Sequence, residues 1–285
     1  MRLVAFEKAD GQHIGVITDR GVVDLSLIDP SAPRDLGAVI KAGQLDEITA
    51  IMARADDAVH HQMADLKFAL PVAHPGKILC LGLNYMDHVA EGPFDKQPFP
   101  AIFMRSATSL VAANQPIIAP KVSETLDYEA ELAVIIGKEC KNLTEENALE
   151  AIAGYSCFND GSVREFQRHT IQWTMGKNFD KTGPFGPIIV TPDELPAAAT
   201  GLKIECRLNG QTVQSSTTDM MIFPIIETLV YITKAVTLEP GDLVIMGTPS
   251  GVGHARKPPL WMKDGDLVEV EIEGIGILAN PINAE

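Results

Sequence analysis

Basic side chains are in deficit: 23 Lys and Arg stand against 38 Asp and Glu, a formal net charge of −15. That balance argues against nucleic acid or an anionic membrane as partner, since both are met by fields of positive charge. It leaves room for a small anionic substrate, provided local cations, basic side chains or a metal, are set into the acidic protein. Cysteine is sparse too. Cys80, Cys140, Cys157 and Cys206 lie far apart and form neither a C-x-x-C pair nor a zinc-like spacing, so free buried thiols in a reducing cytoplasm are expected. No apolar run approaches the roughly 18 residues of a membrane span. The opening Met1-Arg2-Leu3-Val4-Ala5-Phe6-Glu7 meets charge too early for a secretory signal. There is no internal repeat and no low-complexity tract. What remains is an ordered globular composition, 46% apolar and 21% charged over 285 residues, long enough for one large domain or a catalytic domain with a small appendage.

Residues 1–70 read as a small α+β unit. Leu3 to Phe6, Ile14 to Ile17 and Val22 to Leu25 form a meander with Gly11 and Gly21 in its turns, and short helices follow at 35–43 and 45–54. Leu70-Pro71-Val72-Ala73-His74-Pro75-Gly76 is a turn-forming boundary, so residues 71–285 are expected to be the catalytic domain. A buried strand at 77–82 opens into a helix that Asn84 or Asp87 could cap, with His88 and Glu91 at i and i+3 on one face. A carboxylate beside an imidazole fixes its tautomer and raises its basicity, as a general base requires; the same spacing also occurs as plain surface pairing. Gly92 to Pro100, with Phe94 and Phe99, is rich enough in proline and aromatics for a lid. Arg105 ends an apolar strand, placed either to meet a substrate anion or simply exposed. Further on, 144–154 reads as a capped helix, 172–187 as an ordered loop, 203–215 as a hairpin about Asn209-Gly210, and 223–234 as a helix.

The odd stretch is Leu126-Asp127-Tyr128-Glu129-Ala130-Glu131-Leu132, where acids run into a strongly apolar segment. As a strand, it puts Asp127, Glu129 and Glu131 on one side. Buried carboxylates are costly unless paired or bound to a cation. Two readings follow: a solvated strand mouth, or a cation site. Asp160, at the end of the strand 155–158, could be brought alongside by strand pairing, and several carboxylates with open positions suit Mg²⁺, or Mn²⁺ as an equivalent hard ion. The glycine-rich stretch 247–253 matches neither a dinucleotide fingerprint nor a nucleophile elbow, but could offer backbone N–H groups and the Thr248 hydroxyl to a carboxylate.

Five separated motifs, Gly82-Leu83-Asn84-Tyr85 with His88 and Glu91, Asp127 to Leu132, Asn159 to Arg164, Gly176-Lys177-Asn178-Phe179-Asp180 and Gly247-Thr248-Pro249, together resemble the fumarylacetoacetate hydrolase family over about residues 75–283. The resemblance implies an α+β architecture, a mixed β-roll catalytic domain behind the small N-terminal unit, usually dimeric. It implies Glu129, Glu131 and Asp160 as ligands of Mg²⁺ or Mn²⁺, with Asp127 left as a second-layer or solvated neighbour. His88 with Glu91 would activate water, Lys177 would steady an enolate, and Thr248, with Arg105 and Gln167, would contact substrate. The implied reaction is hydrolytic cleavage of a C–C bond in an acylpyruvate or related 2,4-diketo acid. The rival is oxaloacetate decarboxylation, or a lyase or isomerase reaction through the same enolate; a binding protein with a purely structural metal would not require the His88/Glu91 pair. Two departures from the family pattern bear on substrate identity: Arg105 where Lys is frequent, and Gly161 and Glu165 where Val and Asp are usual.

Overall fold

A computed structural model describes residues 1–55, 59–90 and 97–285. The architecture is α+β, with long sheets and few helices. The apolar runs Ala130–Ile136 and Ile152–Asn159, buried at every position, pair antiparallel in register from Ala130 opposite Asn159 to Ile136 opposite Ile152. Strands buried on both faces have no reason to alternate, which is why these read as continuous hydrophobic stretches.

Around them the twelve-stranded sheet extends both ways. On one side come Gly183–Val190 and then the N-terminal meander of Arg2–Lys8, Gly11–Thr18 and Gly21–Asp24; on the other come Leu243–Ile245, Ile78–Gly82 and Ala101–Met104 at the edge. Arg2, Leu3 and Val4 pair with Val190, Ile189 and Ile188, so the sheet runs unbroken from the N-terminal unit into the rest of the chain. One face, carrying Ala133, Ile135 and Leu243, packs against Leu36, Val39, Ile40 and Ile48 of the helices Leu36–Ala42 and Leu45–Met52. The opposite face, carrying Leu132, Val134 and Val190, meets Ile204, Val268 and Leu278 of a five-stranded sheet and Leu229 of the helix Ile225–Ala235. Asn209-Gly210 joins Lys203–Leu208 to Gln211–Thr217 with both residues at positive φ, 52° and 78°, as a two-residue hairpin turn of this hand demands. All four cysteines are free and buried.

Three local expectations give way. The helix expected over 144–154 shrinks to one 3₁₀ turn, Ala148–Ala151: the Asn147 side chain accepts from the Thr144 N–H (2.8 Å), and from Ile152 the chain is drawn into the sheet. The expected loop 172–187 holds a single helical turn, Thr174–Lys177, and the first half of the buried strand Gly183–Val190, whose glycines and prolines hid it. Asn84 caps nothing. It is buried and ties three segments together, donating to the Phe223 and Met246 carbonyls (3.1 and 2.7 Å) and accepting from the Phe223 N–H (2.8 Å).

Candidate metal centre and active-site cleft

The strand register builds the acidic cluster. Glu129 immediately precedes Ala130–Ile136, Asp160 immediately follows Ile152–Asn159, and the Asp160 N–H donates to the Glu129 carbonyl (2.9 Å) where the two strands meet. The Glu129 N–H donates in turn to Asn159 Oδ1 (2.9 Å). Glu129, Glu131 and Asp160, all buried, thereby offer one carboxylate oxygen each within 4.8 Å of one another. The solvated strand mouth is excluded.

Asp127 behaves differently. It pairs with Ser162 in a separate two-stranded piece, and residues 128–129 lie outside any strand, so the alternation of faces breaks there. It is not solvated: it is fully buried and accepts from Arg164 Nε (2.8 Å), Tyr128 N (2.9 Å), Gly253 N (2.7 Å) and His254 N (3.0 Å). Arg164 then reaches Glu129 Oε1 with Nη2 (2.6 Å) and Gln167 Oε1 with Nη1 (3.0 Å). Asp127 therefore orients the guanidinium that grips a candidate ligand.

Lys177 Nζ bridges Glu129 Oε2 (2.5 Å) and Asp160 Oδ2 (2.6 Å). Arg105, expected to contact substrate, does not line the cleft. It is buried, with donors taken by Asp160, the Gly161 carbonyl (3.1 Å), Ser109 (3.1 Å) and Thr182 (3.0 Å), and so holds Asp160 in place. Its planar fork explains why Arg rather than Lys suits the position.

Among the described residues, four buried carboxylates (Asp127, Glu129, Glu131, Asp160) face three buried cations (Arg105, Arg164, Lys177). Burial works to raise the Glu129 carboxyl, but Arg164 and Lys177 outweigh it and hold the group well below its ordinary value. Burial likewise works against the Lys177 ammonium, and Asp160 and Glu129 more than restore it. Glu131 makes no ion pair among the described residues, and the more distant Lys177 helps it less. Burial, then Asp160 and Glu129, push its carboxyl well above the ordinary range, and the Gly247 N–H (2.6 Å) does not offset them. One uncompensated carboxylate in an all-oxygen donor set is what a hard divalent cation fits. With Mg²⁺ or Mn²⁺ the balance becomes positive by one, which a substrate carboxylate would neutralise.

A cleft of about 100 Å³ opens over this cluster. Of the residues singled out in the sequence, His88, Glu129, Glu131, Gln167, Lys177 and Thr248 line it; Asp160 and Arg105 do not, and Glu91 and Phe94 fall outside the described residues. Phe99 stacks on Tyr231, ring centroids 6.0 Å apart, away from the cleft lining. Thr248 accepts from Gln214 Nε2 (2.9 Å), which leaves its own hydroxyl hydrogen to donate.

Sequence reasoning missed Arg168, Trp173 and His254, and quoted Arg164 without giving it a role. One signal was available for Trp173: Gly82. A Cβ on Gly82 would come within 2.1 Å of the indole, so the glycine makes the seat on which Trp173 stands, edge-on to Phe103 at 5.5 Å. The glycine-rich loop does offer N–H groups to carboxylates, but to the protein's own: Gly247 N to Glu131 and Gly253 N to Asp127. At Gly253 a Cβ would meet the Leu260 carbonyl at 1.9 Å and Asp127 Oδ1 at 2.5 Å, so only glycine brings that N–H so close.

The family profile described as fumarylacetoacetate (FAA) hydrolase C-terminal matches residues 77–283. The oxaloacetate tautomerase fahd2, mitochondrial, of Xenopus laevis is 38% identical over 288 residues, spanning 99% of this chain and 90% of that protein. Among solved structures, the fumarylacetoacetate hydrolase EaFAH of psychrophilic Exiguobacterium antarcticum aligns over the whole of both chains with a TM-score of 0.86 at 34% identity. The maleylpyruvate hydrolase of Sphingobium sp. SYK-6, in complex with manganese(II) and pyruvate, aligns with a TM-score of 0.80 at 26% identity over 100% of this chain and 99% of that one.

Proposed function

The chain belongs to the fumarylacetoacetate hydrolase family, and on that premise we propose that it is a divalent-metal-dependent enzyme interconverting the keto and enol forms of a short 2-oxo dicarboxylic acid, oxaloacetate foremost. The observation that carries this is the placing of Glu129, Glu131 and Asp160 beneath a small cleft whose remaining polar lining is largely cationic or hydrogen-bond donating: Arg164, Gln167, Arg168, Lys177 and Thr248. The relative of 38% identity along almost the entire chain, itself an oxaloacetate tautomerase by name, supports the choice among reactions.

Glu129, Glu131 and Asp160 would hold Mg²⁺ or Mn²⁺, which would supply Lewis-acid pull on the 2-oxo group and its carboxylate. Thr248 directs its hydroxyl hydrogen toward that carboxylate. Lys177, fixed between Glu129 and Asp160, sets a buried positive charge where negative charge develops on the substrate oxygen. His88, on the helix Met86–Ala90, stands at the cleft wall and moves a proton to or from the substrate.

Hydrolysis of an acylpyruvate is the second reading, favoured by the likeness to the maleylpyruvate hydrolase and requiring His88 with Glu91 to activate a water. Ultraviolet decay of the oxaloacetate enol separates the two. Faster keto–enol equilibration in Mg²⁺, abolished by EDTA and slowed at least about 10²-fold by His88→Ala, is the expected result. Pyruvate plus a carboxylic acid from an acylpyruvate, with oxaloacetate equilibration unchanged, would overturn it in favour of the hydrolase; CO₂ plus pyruvate from oxaloacetate would make the enzyme a decarboxylase. The homodimer and the cytoplasmic setting expected from the sequence stand as parts of the same proposal.

A further inference from the structure

We propose that His254, oriented by Asp127, is a second proton carrier of this site, taking the proton from C3 of the 2-oxo acid at its Nε2 and returning it there. The inference rests on the tautomerase reading and adds a catalytic residue to it. His254 lines the same cleft as His88, Glu129, Glu131, Lys177 and Thr248, with its side chain 20% exposed. Its Nδ1 lies 3.3 Å from Asp127 Oδ2.

The geometry of Asp127 decides the tautomer. Tyr128 N and Gly253 N donate to Oδ1 and Arg164 Nε and His254 N to Oδ2, so Asp127 faces four N–H groups as an acceptor, with the imidazole Nδ1 as a further neighbour of Oδ2. The group is therefore acceptor-only, and the facing imidazole nitrogen must carry the hydrogen. That leaves the lone pair on Nε2, on the nitrogen Asp127 does not engage, which is the form a base needs.

A purely structural role explains less. Asp127 is satisfied by its four shorter contacts, and the imidazole comes fifth and longest, so the acid does not need the ring; the ring gains its orientation from the acid. The loop is also shaped to bring it there. Gly253, which only a missing Cβ fits between Leu260 and Asp127, lays the backbone on the carboxylate and delivers the next residue, His254, to the cleft.

The step balances without a further reactant. The C3–H bond breaks and its proton bonds to Nε2; the released electron pair becomes the C2–C3 double bond, and the carbonyl π pair moves onto the C2 oxygen. That oxygen takes a proton from the other imidazole of the cleft, His88, which enters the step as imidazolium; once the enol has left, His254 gives its proton to water and His88 takes one from water. The reverse sequence restores the keto form and both imidazoles. Two carriers allow the proton to leave carbon and arrive at oxygen without one group crossing the substrate plane.

The test is deuterium incorporation at C3 of oxaloacetate, and of pyruvate as a slower probe, followed by NMR in D₂O with Mg²⁺ for the wild type, His254→Ala and His254→Gln. Exchange is expected to fall at least about 10²-fold in both variants, with Mg²⁺ affinity by calorimetry unchanged, and to recover in part when free imidazole is added to His254→Ala but not to His254→Gln, whose side chain fills the space. Exchange that stays within an order of magnitude of wild type overturns the inference, as does a loss that tracks weakened Mg²⁺ binding and ignores imidazole. A wild type that exchanges no C3 hydrogen refutes the tautomerase reading and the inference with it; an active wild type with an indifferent His254→Ala refutes the inference alone.

Discussion

Replacing Asp127 by Asn removes one charge and almost no volume, yet the structure makes it a severe change. The carboxylate accepts four N–H donors within 3.0 Å while buried beside Arg164. The amide retains one oxygen and turns an NH₂ toward two donors, leaving part of the Arg164 guanidinium facing a like dipole. Charge-assisted bonds contribute about 1.5–3 kcal/mol each, and breaking a buried ion pair from one side costs about 3–5 kcal/mol, so a loss of about 3–5 kcal/mol is expected. Urea unfolding at pH 7 with EDTA present, so that no metal contributes, measures it. A solvated acid would give a change within about 0.5 kcal/mol, and a result of that size would refute the reasoning. The pH dependence supplies a second check. Burial works to raise the Asp127 carboxyl, but Arg164 and the bond to His254 outweigh it and hold it below its ordinary value of 3.8. A depressed acid stabilises the fold fully above its unfolded pKa and loses that contribution as pH falls through the folded one. The gap between wild type and Asp127→Asn should therefore stay constant from neutral pH down to the ordinary carboxylate range and close only in stronger acid.

Three further outcomes follow from the metal cluster. Mg²⁺ at a hundredfold excess over its dissociation constant should add about 2.7 kcal/mol of stability, and Glu131→Gln should abolish that increment in thermal unfolding. Because burial, Asp160 and Glu129 push the Glu131 carboxyl up, the metal-free fold loses stability as pH rises above the ordinary carboxylate value, and the gain from Mg²⁺ should grow over the same rise. Arg105→Lys should weaken Mg²⁺ binding about 10–100-fold, as loss of a ligand-orienting partner does, since an ammonium cannot span Asp160, Ser109 and Thr182 at once. Calorimetry showing intact Mg²⁺ affinity with a raised KM would instead restore Arg105 as a substrate contact.

What could be read from the sequence was what local patterning records. Glu129 and Glu131 stand two apart at the head of an apolar segment and Asp160 just past the strand that pairs with it, so patterning marked these acids as out of place, and the family resemblance singled the three out as ligands. The strand face expected to carry Asp127 with Glu129 and Glu131 fails because the chain leaves the strand at 128–129, and a bend of two residues leaves no mark on hydrophobic spacing. His254 escaped for a different reason: its partner Asp127 lies 127 residues away, and nothing near a histidine in sequence announces a carboxylate at that distance. Arg105 showed its charge at a strand end but not that four groups of the protein had claimed it. At 144–154 and 183–190 the local signals were real, caps in one case and turn formers in the other, and burial in a two-faced sheet overrode both.

The loop from Gly247 to Gly253 is fastened at each end to a different buried acid, Glu131 and Asp127, through backbone N–H groups. Such a segment is a strap of fixed length. Within it Thr248 is held to its place in the cleft and Gly251 by the Val213 carbonyl, which a Cβ would meet at 2.2 Å, and adding or deleting a residue would detach one end and with it either Thr248 or His254. Variation here should therefore be substitutional and never a matter of length, and a loop transplanted from another member of the family would work only if it carries the same number of residues between its two glycines.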